Sequence, residues 1–154
     1  MNKSTPRSIG RGEFPRETKR KLIIVCEGRR TEKLYFEAIK QQLRLPSVEI
    51  KVRHAGATNP GAIVTFVDNL RADLKREHAW GRDDQAWAVF DGVEHYRNNQ
   101  DDWHGANDVA KAKQINLAIT NTAFEFWYLI HFQDQNRWIE RDDTKRLLEN
   151  RHIP

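Results

Sequence analysis

Two acids stand where apolar runs of the sequence stop. Glu27 follows Leu22–Cys26 (LIIVC) and Asp91 follows Ala86–Phe90 (AWAVF), with Glu94 close behind the second. If the two runs are neighbouring parallel strands, their carboxyl ends share one edge of the sheet and these acids face one another. Carboxylates so placed suit a hard cation such as Mg²⁺, which takes a few of them and fills its shell with water and phosphate oxygens. Acids merely solvated at strand ends fit the same spacing. Gly28, Arg29 and Arg30 come next, ahead of a helix for which Thr31 is the expected N-cap. Helix amide groups and guanidinium forks there could hold a substrate phosphate. His95 and Glu125 are supporting candidates, although Thr122 and Glu125 have the spacing of a capping box, which gives Glu125 a purely local role.

Positioning these side chains requires strands alternating with helices. Leu22–Cys26 reads as a strand covered on both faces, and Phe36, Ile39 and Leu43 recur as the buried stripe of the helix after it, closed by Pro46. Val48–His54 alternates, as a strand near the sheet edge does. Asn59 and Pro60 are the cap and first position of a helix with Ile63, Phe66 or Val67, Leu70 and Leu74 inward. Ala86–Phe90 is the third strand. Gly92–His104 reads as a polar passage without clear periodicity, followed by a weak helix near Asn107–Gln114. Ile115–Thr120 is the fourth strand, Thr122–Phe132 an aromatic helix, and Asp142–Asn150 a short charged one. That order argues for an α/β fold with right-handed crossovers.

A chain of 154 residues suits one domain. Of its 26 Lys and Arg residues, seven lie within residues 1–21 against two acids, leaving 19 basic and 20 acidic residues in the rest. The formal charge of +4 therefore belongs to a tail, expected to be flexible over residues 1–20 and able to attract phosphates, and the domain proper is residues 21–154. The lone Cys26 excludes an internal disulfide framework and reads as a small buried hydrophobe. With no apolar stretch of membrane-spanning length and no signal sequence, a cytoplasmic protein is expected. Absent GxxxxGK[ST], GxGxxG, HExxH and CxxC patterns leave an ATPase, a dinucleotide enzyme and a zinc protein without support.

VCEGRRTEKLYF resembles the opening block of RloB-like proteins, small relatives of the Toprim domain found in bacterial defence loci. GATNPGAIV, WAVFDGVEH and LAITNTAFEFWYLIHF resemble the later blocks in the same order, from Leu22 to Phe132. The resemblance implies a Toprim-like (Rossmann-like) four-stranded parallel sheet flanked by helices. It implies Glu27 as general acid or base and Asp91 as the first member of a metal-binding aspartate pair. The second member falls at Val93, so Glu94 is the acid expected to complete a Mg²⁺ or Mn²⁺ site. A nuclease acting on DNA or RNA in anti-phage defence is implied, gated by an RloA-like ABC/AAA-type ATPase. Family members usually continue further, so a partner or second copy in a homo-oligomer is expected to supply the remainder.

Other readings stay open. Tyr35 or Tyr96 could attack phosphorus in place of water. A degenerate Toprim domain could bind its ATPase partner or nucleic acid without chemistry. Glu49-x-Lys51 places two side chains on one strand face, as a PD-(D/E)xK nuclease would.

Overall fold

The computed structural model describes residues 19–46 and 48–151. The expected tail, apart from Lys19 and Arg20, lies outside them. Four strands, β1 (Arg20–Cys26), β2 (Val48–His54), β3 (Gln85–Asp91) and β4 (Asn116–Thr120), form one parallel sheet in the order β2-β1-β3-β4. The helices are α1 (Thr31–Leu43), α2 (Pro60–Arg76), α3 (Val93–Asn98), α4 (Gln100–Ala112), α5 (Glu125–Ile130) and α6 (Arg141–Glu149). The α/β architecture is the expected one, and β2 is an edge strand as its alternation predicts.

Strand order determines where the crossovers go. The chain steps one way from β1 to β2 and the other way from β2 to β3 and β4, so right-handed connections place α1 on one face and α2 and α4 on the other. The cores agree. Ile23, Val25, Ala88 and Phe90 pack with Ile63, Val64, Val67, Ala106 and Ala110 on one face, while Ile24, Cys26, Val52 and Val89 pack with Phe124, Tyr35 and Phe36 on the other. The reversal falls between β1 and β3, whose following helices leave on opposite faces. A crevice must open there, at the carboxyl ends of the two strands.

Asn59 caps α2, its side chain accepting the Ala62 N–H at 2.8 Å, with Pro60 at the first position. Several expectations need correction. Thr31 is the first residue of α1 and makes no cap; Arg30 precedes it with no side-chain capping bond. Leu43 is exposed, leaving Tyr35, Phe36 and Ile39 as the inward residues. The passage Gly92–His104 is largely helical. Asn99 accepts the Asp102 N–H at 3.0 Å, Asp101 and Asp102 sit in the favourable first turn of α4, and Trp103, Ala106 and Ala110 face the core. Small alanines gave that helix too weak an apolar stripe to read. The aromatic helix shrinks to α5, and Thr122 donates its hydroxyl to the Ile139 carbonyl at 3.1 Å, so no capping box forms.

Candidate functional site

Glu27 is the first residue beyond β1 and continues the ladder, its N–H donating to the Val89 carbonyl at 3.0 Å. Its carboxylate reaches across the crevice. Oε2 accepts the Asp91 N–H at 3.2 Å, and both oxygens lie 3.0 Å from His95 Nε2. A carboxylate can only accept, so that nitrogen carries the proton. His95 comes from α3 and meets the ring of Phe90 edge-on at 6.3 Å, which fixes its approach. Gly92 makes this turn feasible: its N–H donates to the Thr120 carbonyl at 2.8 Å, and a Cβ would lie 2.7 Å from both Asn121 Oδ1 and Ile119 Cγ2.

Beyond Asp91 lies a cleft of about 140 Å³ lined by Gly28, Arg29, Arg30, Thr31, Glu32, Asp91, Phe124, Glu125 and Arg141. Asp91 Oδ1 accepts the Thr120 hydroxyl at 2.6 Å. Oδ2 has no hydrogen bond among the described residues. Burial pushes the Asp91 carboxyl up, as do the charges of Glu27 and Glu125, while the Thr120 hydroxyl and the Arg141 charge oppose the rise. Glu32 is pushed up too, first by burial and further by the charges of Asp91 and Glu27. It is 8% exposed, and its Oε1 accepts the Gly28 N–H at 3.1 Å. A Cβ at Gly28 would force the Glu32 carboxylate out of this position. Burial, assisted by Glu32, raises the Cys26 thiol to about 12, so Cys26 is the inert hydrophobe expected.

The structure brings Glu27, Asp91 and His95 together, with Gly28, Arg29, Arg30 and Glu125 on the neighbouring cleft wall. Glu27 is not in that lining and adjoins the cleft through the Asp91 amide it holds. Glu94 stands at the rim, 68% exposed, with its Oε2 3.8 Å from the Arg141 guanidinium. Glu125 lies 3.9 Å from the same guanidinium, in the cleft and not in a cap. Glu32, Thr120 and Arg141 are the site residues that sequence reasoning missed. Tyr96 meets Trp103 and His104 edge-on, and Tyr35 packs among Phe36, Phe124 and Tyr128 while bonding His131 Nε2 at 2.9 Å. Glu49 and Lys51 pair with each other at 3.2 Å on the edge strand.

A divalent cation fits the chemistry of these donors. Asp91 and Glu32 are acids held in a shared cleft with unfavourable like charge, and one Asp91 oxygen is uncommitted. Hard oxygen ligands of this kind suit Mg²⁺ or Mn²⁺. Among the described residues, however, no three acid, His or Cys side chains form a ready-made metal set, so most of the coordination shell would be water and substrate.

A family model described as RloB-like protein matches residues 22–154, nearly all of the described fold. No curated protein and no solved structure matches the chain.

Proposed function

This chain belongs to the RloB-like family, and on that premise we propose that it is a Mg²⁺- or Mn²⁺-dependent nuclease of Toprim type, cleaving phosphodiester bonds of DNA or RNA in anti-phage defence. The observation carrying the reading is the meeting of Glu27 with Asp91 at the crevice between β1 and β3, beside a cleft that also holds three arginines. Asp91 and Glu32 would hold the cation, with Glu94 standing at the rim. The bound ion supplies Lewis-acid stabilisation of the charge that develops on the phosphate. Arg29 and Arg30 grip phosphate oxygens at the cleft mouth. Glu27 takes the proton of the attacking water, and His95 holds its carboxylate in place through Nε2. No helix among the described residues is long and apolar enough to cross a membrane. A cytoplasmic setting and gating by an RloA-like ATPase belong to the same proposal.

The test is cleavage of labelled single-stranded DNA, duplex DNA and RNA with the ATPase present, in Mg²⁺, Mn²⁺ or chelator. Glu27→Gln keeps the side chain's shape and removes its basicity, so metal binding survives while turnover falls by roughly 10² to 10⁴. Full activity in Glu27→Gln would remove Glu27 from the chemistry. A second reading, a non-catalytic adaptor that binds the ATPase or nucleic acid, is favoured by one observation: both Glu27 oxygens are already engaged, as a structural staple's would be. Absence of cleavage on every substrate, with ATPase binding intact, selects it.

A further inference from the structure

We infer that Arg141 is the resident counter-ion of the acid cleft, the cation that an incoming divalent ion must displace and that then turns to the substrate phosphate. The inference rests on the metal-dependent reading above. Arg141 is the first residue of α6, where the helix dipole favours anions and disfavours a guanidinium. Something else must hold it there. Its nitrogens lie 3.8 Å from Glu94 Oε2 and 3.9 Å from Glu125 Oε1, too far for hydrogen bonds and near enough for charge attraction. It lines the cleft with Asp91, and its charge reaches the Asp91 carboxyl. At 47% side-chain exposure, with no hydrogen bond among the described residues, its guanidinium is held by charge attraction alone.

Charge balance supplies the mechanism. Glu32, Asp91 and Glu125 line the cleft against Arg29, Arg30 and Arg141, so its charges nearly cancel without a metal. A divalent ion on Asp91 and Glu32 adds two positive charges, and the guanidinium, which cannot shed its own charge, is repelled. Its planar fork then suits two oxygens of the phosphate that the metal draws in. Arg141 thereby links metal arrival to substrate grip.

The experiment is calorimetric titration of Mg²⁺ into the full chain, followed by binding of a single-stranded oligodeoxynucleotide at saturating Mg²⁺. Arg141→Gln removes the competing charge and should tighten Mg²⁺ binding roughly fivefold or more, within the usual range of coupling between sites, while weakening the oligonucleotide. Arg141→Lys keeps the charge without the fork, so its Mg²⁺ affinity should stay near wild type while oligonucleotide binding still falls. A wild type that binds Mg²⁺, with Arg141→Gln equal or weaker, overturns the counter-ion role alone. No Mg²⁺ or Mn²⁺ binding by wild type, or binding by Asp91→Asn as tight as that of wild type, overturns the metal-dependent reading, and this inference with it.

Discussion

Two aspartates stand at opposite ends of one strand and meet opposite fates. Asp84, just ahead of β3, spends both carboxylate oxygens on backbone amides, accepting the Lys21 N–H at 2.7 Å and the Gly81 N–H at 2.8 Å. It ties the amino end of β3 to that of β1. Asp91, the last residue of β3, receives one hydroxyl bond and is pressed by burial and by the charges of Glu27 and Glu125. Residue type is the same, yet one acid is consumed by the fold and the other keeps an oxygen that no hydrogen bond among the described residues engages. The proposed function draws on that difference: a carboxylate with satisfied oxygens has little left for a cation, whereas one destabilised by like charge would gain by meeting one.

The contrast is sharpest under paired substitution. Asp91→Asn should weaken Mg²⁺ binding by at least the roughly 10–100-fold that even an outer-shell partner commands, with stability unchanged or raised, because a buried charge is removed. Asp84→Asn should leave Mg²⁺ affinity alone and cost roughly 1–3 kcal/mol, since an amide can accept only one of the two N–H groups now bound. Calorimetry and urea denaturation read the two quantities separately. Parallel losses in both variants would erase the distinction between the two ends.

A smaller effect concerns pH. The Glu32 and Asp91 carboxyls are both raised in the folded state, so the fold holds their protons more tightly than the unfolded chain does. Stability contributed by those protons is complete below the unfolded carboxyl range, near pH 4, and is lost as pH rises through the raised folded values. On the proposed reading Mg²⁺ would compete for the same oxygens. Thermal denaturation should therefore show a Mg²⁺-dependent rise in melting temperature that is largest at neutral pH and shrinks toward about pH 4. An increment independent of pH would place the ion away from these two acids.

Much of this arrangement was legible because it depends on strand ends. Apolar runs of the right length stop at Glu27 and Asp91, and parallel strands deliver their ends to a common edge. Glu32 was not legible in that way. In sequence it is only an acid in the first turn of a helix, and its place in the cleft follows from burial against Gly28. Arg141 was hidden by distance along the chain, since the return through α5 to α6 brings it back. His95 is a supporting candidate in the sequence, but its bond to Glu27 depends on α3, within a passage whose polar composition conceals its helices.

The collision that a Cβ at Gly28 would meet in the Glu32 carboxylate couples the two positions physically. Gly28→Ala should be disruptive while Glu32 is present and nearly silent beside Glu32→Ala, a coupling of about 0.5–3 kcal/mol in a double-mutant cycle read by urea denaturation. Additive losses would show that the glycine serves some other purpose. If the coupling holds, descendants that discard the acid are released from the glycine as well, and a lineage drifting away from the chemistry would be expected to lose both letters together.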